Sequence, residues 1–190
     1  MFNVKLAGYR FCIENTYEYI EELCREYTVP DSDDSINIKV TEDECNAENK
    51  DHGNWSPAYL ESLAVYRKIC EYLVQYDIFL FHCSALAIEE EGVLLTGESG
   101  AGKSTHAGLW REMFGDRLVT VNDDKPLISF SNNTFRVYGT PYGGKDNLQT
   151  NTSAEIKAVV EIQKGKENII KRADRKKALR ILLKQVCIPA

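Results

Sequence analysis

No stretch of this chain is apolar over anything near the roughly 18 residues of a membrane span. Its start, Met1-Phe2-Asn3-Val4-Lys5, lacks the charged region and apolar run of a leader peptide. No membrane association is therefore expected, and the chain reads as soluble and cytoplasmic. There is no C-x-x-C pair. The six cysteines, at 12, 24, 45, 70, 83 and 187, fall mostly in apolar periodic segments such as Ile69-Cys70, as small core residues do in a reducing cytosol. Positive charge is not in excess either: 23 Lys and Arg stand against 29 Asp and Glu, a net charge of -6, so no nucleic-acid partner is expected. Neither an internal repeat nor a low-complexity tract is present. At 190 residues and 43% hydrophobic composition, the chain suits one substantial core with a small appended module rather than two full domains.

The charge that is present is uneven. Residues 14 to 51 are rich in Glu and Asp, whereas Lys and Arg crowd the part from Lys164 to Lys184. That basic face reads as a solvated helix surface or as a docking site for an acidic partner.

Phe2 to Ile13 alternates loosely, as one or two strands do, and Asn15-Thr16 is placed to cap a helix with Ile20, Leu23, Cys24 and Tyr27 on one face. Ser35 to Thr41 alternates as a half-buried strand, and the polar residues from there to Asn54 read as a mobile segment. Residues 1–54 form a small N-terminal α/β module on this reading. Residues 55–190 form the main domain, opening with a helix capped at Ser56-Pro57 and carrying Leu60, Leu63, Ile69, Cys70, Leu73 and Val74. Strands follow at Ile78 to His82, Ala85 to Glu89 and, after a turn at Glu90-Glu91-Gly92, Val93 to Thr96.

Directly after that third strand stands Gly97-Glu98-Ser99-Gly100-Ala101-Gly102-Lys103-Ser104-Thr105, a complete G-x-x-x-x-G-K-S phosphate-binding loop. Its glycines allow the backbone N–H groups to form a nest for phosphates, to which the next helix adds its positive end. Lys103 is placed to reach the β- and γ-phosphates of ATP, and Ser104 to offer its hydroxyl to Mg²⁺. Ala107, Leu109, Trp110, Met113 and Phe114 supply an apolar face to that helix. After it, strands rather than alternating helices are expected: Arg117 to Val121, a hairpin of Leu127 to Phe130 with Phe135 to Tyr138, Ile156 to Ile162, and Ile169-Ile170, before a last helix from Asp174. The sheet is therefore mixed and hairpin-rich. Val186-Cys187-Ile188-Pro189-Ala190 is an apolar end without a polar tail and reads as that of a fragment.

Three further positions bear chemistry. Asp123-Asp124 ends an apolar strand about twenty residues past Lys103, where one carboxylate can anchor Mg²⁺ and the other take the proton of an attacking hydroxyl. Gly139-Thr140-Pro141-Tyr142-Gly143-Gly144-Lys145 is a loop able to close over phosphates or an acceptor, with Lys145 as a point charge. His82 ends a strand, where histidine is ordinarily structural.

Taken in order, His82, the loop at 97–104, Asn122-Asp123-Asp124-Lys125 and the loop at 139–145 resemble the bacterial HPr serine kinase/phosphorylase family and its relatives in the phosphoenolpyruvate-carboxykinase-like P-loop fold. The resemblance covers roughly residues 78 to 188. It implies a kinase that moves the γ-phosphoryl group of ATP to a serine hydroxyl, with Lys103 on the phosphates, Ser104 and Asp124 on Mg²⁺, Asp123 as base and His82 beside the metal and phosphates. Glu98 stands where those kinases usually carry aspartate, and Lys125 where they usually carry arginine. The first eighty residues do not match their N-terminal domain. A hydroxyl acceptor on a protein, peptide or small molecule is thus implied, and a homo-oligomer is compatible with it. A nucleotide-sensing module with little turnover and an NTP hydrolase are the alternatives. The full set of Lys103, Ser104 and Asp123-Asp124 weighs against the first, and the lack of a recognisable arginine finger against the second.

Overall fold

In the computed structural model, which describes residues 1–187, the alternating N-terminal segment resolves into two antiparallel strands, β1 (Phe2–Leu6) and β2 (Tyr9–Glu14). The apolar end read at 186–190 lies outside the described residues from 188 onward. Ala7 and Gly8, the two residues of the β1–β2 turn, both sit at positive φ, the type I′ pattern whose twist matches the strands it joins. β3 (Ile36–Lys39) pairs parallel to β2 and completes a three-stranded sheet.

Helix α1 (Glu18–Leu23) turns Ile20 and Cys24 into the core. The cap expected from Asn15-Thr16 is not formed. Tyr17 holds the cap position with no side-chain bond, and the buried carboxylate of Glu61 accepts from the backbone N–H of Thr16 at 2.7 Å and of Tyr17 at 3.1 Å. A carboxylate there satisfies the orphan donors and complements the positive end of the helix, so a distant residue replaces the local cap. The polar segment before Asn54, expected to be mobile, contains helix α2 (Glu42–Ala47). Its Thr41 and Glu44 form a reciprocal capping box, with N–H to oxygen distances of 3.2 and 2.7 Å. Helix α3 (Pro57–Leu73) starts as read, with the Ser56 hydroxyl accepting from Tyr59 N–H at 3.2 Å. Because α3 packs on α1, α2 and β3, it belongs with the N-terminal unit. The chain divides after Ile78, not at residue 54.

The second unit is built on a mixed sheet of β4 (Ile78–Phe81), β5 (Ser84–Ile88), β6 (Glu91–Thr96), β7 (Leu118–Asn122), β8 (Leu127–Ser131), β9 (Thr134–Tyr138), β10 (Ser153–Glu161) and β11 (Val186–Cys187). Its order is β11-β4-β8-β9-β10-β6-β5-β7. β10 runs parallel to β6, while the β5–β6, β5–β7, β8–β9 and β9–β10 pairs are antiparallel. Two hairpins again turn on two residues at positive φ: Asn132-Asn133 between β8 and β9, and Glu89-Glu90 between β5 and β6. The latter turn lies one residue earlier than expected, and Glu91 already pairs with Ile88.

Both faces of the central strands are covered, which explains their almost unbroken apolar runs. Ala85, Leu94, Val121 and Ile128 pack on one face. On the other, Leu86, Leu95 and Leu118 meet Ala107, Trp110 and Phe114 of helix α4 (Lys103–Phe114). Leu109 and Met113, expected on that helix face, are 55% and 79% exposed. At 100° per residue they point well away from the stripe shared by 107, 110 and 114. No strand forms at Ile169-Ile170, which are 61% and 88% exposed, because two apolar residues between polar neighbours bury too little to order one. Helix α5 (Arg175–Gln185) follows, capped by Asp174 at 2.8 Å from Lys177 N–H, and has no buried residue. Cys12, Cys24, Cys70 and Cys83 are buried as expected, whereas Cys187 is exposed; none of the six forms a disulfide. Among the described residues no helix is long and apolar enough to cross a membrane.

Candidate functional site

The sheet topology decides which of the sequence candidates meet. β5 lies between β6 and β7 and runs antiparallel to both, so its first residue and the last residues of its neighbours share one sheet edge. In register terms, Ser84 stands opposite Leu95 and Ala85 opposite Asn122. The glycine-rich loop leaves β6 at that edge, Asp123-Asp124 leaves β7 there, and His82 precedes β5 there. Two strand spacings put the loop and the acidic turn about 10 Å apart across the edge.

The loop at 97–102 is held open by backbone geometry. Gly97, Gly100 and Gly102 have φ of 147°, 73° and 106°. A Cβ on Gly97 would stand 2.6 Å from the carbonyl oxygen of Ile162, so only glycine allows the strand continuing β10 to back the loop. Ile162 N–H donates to Thr96 O at 2.7 Å in the same contact. Lys103, half-buried at the start of α4, folds back and donates from Nζ to Gly97 O at 3.0 Å. Ser104 and Thr105 are exposed on the first turn of the helix, and Glu98 and Ser99 on the loop. Thr96 Oγ1 donates to His82 O at 3.4 Å and ties the loop's base to the segment that carries the histidine.

The acidic turn is organised by a residue to which the sequence reading gave no role. Asn122 is fully buried, and its Oδ1 accepts from the backbone N–H groups of Asp124 and Lys125, both at 2.8 Å. Its Nδ2 faces Thr140 O and Thr140 Oγ1, each at 3.1 Å, and Tyr142 O at 3.4 Å. One side chain thus bends the chain after β7 and fastens the loop at 139–145 to the bend. Thr140 Oγ1 donates back to Lys125 O at 2.9 Å.

Because the chain turns at once, the two carboxylates take different partners. Asp123 Oδ1 accepts from Gly144 N–H at 2.6 Å, and a Cβ on Gly144 would stand 2.8 Å from Asp123 Oδ2, so the backbone approaches that closely only as glycine. Asp124 Oδ1 lies 3.0 Å from His82 Nδ1, and its Oδ2 lies 3.7 Å from Lys125 Nζ. Burial pushes the Asp124 carboxyl upward, but the hydrogen bond to His82 and the Lys125 charge outweigh it and hold the group below the usual carboxylate value. Cys83 sits between the two halves. Burial drives its thiol far up, the Lys103 charge opposes the rise and the Asp124 charge adds to it.

His82, Lys103, Asp123 and Asp124 are therefore gathered at one edge, with Ser104 on the helix that opens there. Lys145 is not drawn into this network of described residues. It lies one residue past Gly144 and is exposed. No three His, Cys, Asp or Glu among the described residues form a cage. Mg²⁺ characteristically takes one or two carboxylates, phosphate oxygens and water. Asp124 and the Ser104 hydroxyl could supply the protein's share of such a set, and Lys103 with the loop N–H groups could meet phosphate oxygens.

No family model and no curated protein matches the chain. Among solved structures it is similar to the HPr(Ser) kinase/phosphatase from Coxiella burnetii, at 20% identity and a TM-score of 0.37 over 49% of this chain. The match spans 65% of that protein's length. A likeness that distant leaves the activity to be argued from the site itself.

Proposed function

We propose that the protein is an ATP- and Mg²⁺-dependent cytoplasmic kinase of the HPr-kinase-like type, with a P-loop fold in its second unit. It transfers the γ-phosphoryl group to a hydroxyl, the serine of a protein or peptide or a small molecule. The observation that carries this reading is the convergence of His82, Lys103, Asp123 and Asp124 at one sheet edge, reached from three separate segments of chain. A module that only sensed nucleotide would have no use for the second carboxylate, Asp123, held apart from the Asp124 and His82 pair.

In this reading Lys103 leaves Gly97 O for the phosphates, and the 97–102 loop lays its N–H groups around them. Ser104 and Asp124 would hold Mg²⁺, which when bound would supply positive charge against the phosphate oxygens. His82 fixes the Asp124 carboxylate through its 3.0 Å contact and keeps it ionised. Gly144 orients Asp123, whose carboxylate takes the acceptor's hydroxyl proton as the acceptor oxygen bonds to the γ-phosphorus. The β–γ bridging oxygen keeps the electron pair of the broken P–O bond and leaves on ADP.

Incubation with labelled ATP and Mg²⁺, alone and then with HPr, free serine or a cell extract, tests the proposal. Label is expected on a hydroxyl acceptor, and Asp123→Asn is expected to cut transfer by about 10²- to 10⁴-fold while sparing nucleotide affinity. Fast acceptor-independent phosphate release would mean a hydrolase. ATP binding without transfer to any acceptor would mean a sensor.

A further inference from the structure

Helix α5 is the least explained element of the second unit. Its eleven residues include Arg175, Lys176, Lys177, Arg180 and Lys184 and no acid, and none is buried. Asp174, the carboxylate at its start, is committed to the N–H of Lys177. Among the described residues the one ion pair made by these five cations is Lys184 with Glu98, at 3.8 Å between two exposed side chains. Such a run repels itself only modestly in water, but it offers a positive surface to an anionic partner.

The cations do not point at random. Lys176, Arg180 and Lys184 recur at i, i+4 and i+8, and Lys177 stands three and seven residues before Arg180 and Lys184, so the four share one helix face. With Asp174 at the start of the helix, Ile181 between the cations, and Glu161 and Gln163 at and just past the end of β10, they line an open groove of about 350 Å³. Gln163 donates to Glu161, so that carboxylate already has a partner inside the groove wall. The groove also adjoins the proposed phosphate site. Glu161 stands opposite Thr96 in the parallel pair, Ile162 backs Gly97, and Lys184 reaches Glu98 on the loop itself.

We infer that this groove is the acceptor-docking site, and that it takes an extended acidic peptide segment flanking the hydroxyl residue; the acceptor role rests on the kinase reading. The shape selects this occupant over a compact anion. From Lys176 to Lys184 the helix rises about 12 Å, the length of roughly four residues of extended chain. Long side chains spread over that distance meet successive carboxylates along a strand. A single phosphate would need donors converging on one point. The end of the groove near Lys184 and Glu98 faces the loop, so the hydroxyl residue lies at that end of the segment.

Fluorescence anisotropy on the full chain tests the inference, using labelled peptides of about seven residues: a Glu- and Asp-rich one ending in serine, a neutral Gly and Ser one, and a Lys-rich one. The acidic peptide is expected to bind in preference to the others and to weaken with added salt. The double variants Lys176→Glu/Arg180→Glu and Lys176→Gln/Arg180→Gln change exposed residues and are checked for folding by circular dichroism. The first should lose about tenfold or more in peptide affinity and the second less, since each exposed pair is worth up to about 1 kcal/mol and reversal adds repulsion. Mg-ATP affinity, read by calorimetry, should stay unchanged in both. Equal binding of the three peptides, or wild-type peptide affinity in both variants, overturns the inference. So does displacement of the peptide by Mg-ATP, which would put the nucleotide in the groove. A change of oligomeric state with peptide binding intact would assign the face to self-association and overturn it too. Failure of Mg-ATP to bind, with selective acidic-peptide binding retained, would refute the kinase reading and leave the groove as a peptide site.

Discussion

Replacing Asn122 by alanine removes one side chain from the core of the second unit and uncouples the two loops it joins. The structure shows five contacts within 3.4 Å. The amide has only two hydrogens for three acceptors, so four hydrogen bonds is the working count. A net bond contributes about 1 kcal/mol, and a buried group left without a partner costs about 1–3 kcal/mol. Asp124 and Lys125 are only half-buried, so water can reach their N–H groups, whereas Thr140 is fully buried and its carbonyl must go unpaired. The expected loss is therefore about 2–4 kcal/mol, below a straight sum of the contacts. Urea unfolding of Asn122→Ala against the parent, followed by a probe in the second unit, measures it as a lower midpoint at unchanged slope. Phosphotransfer should fall further than ATP affinity, because the variant frees Asp123 and Asp124 but leaves the 97–102 loop intact. A loss under about 0.5 kcal/mol, the range of an ordinary surface substitution, would refute the view that Asn122 organises the turn.

Lys103→Ala should abolish most Mg-ATP binding in a calorimetric titration while leaving the unfolding midpoint near that of the parent, since the residue's one recorded bond is to a loop carbonyl. Gly97→Ala should both destabilise the fold and weaken ATP binding, because the new methyl group would meet Ile162 O at 2.6 Å; an alanine variant with parental melting temperature and affinity would contradict the close backing of the loop. Asp124 has a depressed folded-state pKa, so its contribution to stability is present above the unfolded value of about 3.9 and is lost as pH falls through the lower folded value. The stability gap between the parent and Asp124→Asn should accordingly persist at neutral pH and narrow only below about pH 4, and a gap that closes near pH 6 would place the cause elsewhere.

What the sequence made legible was whatever is written locally. The hairpin at Asn132-Asn133, the Ser56-Pro57 start of α3 and the strand, loop and helix around 93–114 all follow from near-neighbour chemistry. The Thr41 and Glu44 capping box was equally local, and a polar composition hid it. The cap of α1 could not be read, because Glu61 arrives from another helix. Asn122 shows the same limit at the candidate site: Asn-Asp-Asp is ordinary turn chemistry on paper, and only the packing of Thr140 and Tyr142 against it shows that it joins two loops. His82 had no distinguishing neighbours in the chain; only the family resemblance marked it, and the structure sets it beside Asp124. The extra apolar residues given to α4 and the strand given to Ile169-Ile170 came from counting hydrophobic residues where the angle around the helix, or the area available to bury, decides.

The Glu89-Glu90 turn has a consequence for how the chain matures. A left-handed conformation at a residue with a side chain costs about 1–2 kcal/mol, and here two adjacent like-charged residues adopt it, so the β5–β6 hairpin closes poorly by itself. β10 must hold β6 in place, with Glu155 opposite Glu91 and Val160 opposite Leu95. Such long-range parallel pairing forms late. A nascent chain released only as far as β9 therefore displays the whole G-x-x-x-x-G-K-S motif without the strand that shapes it. On the proposed reading, competence to hold nucleotide would arrive with the emergence of residues 153–162, which would make the loop's maturation a checkpoint on completion of the sheet.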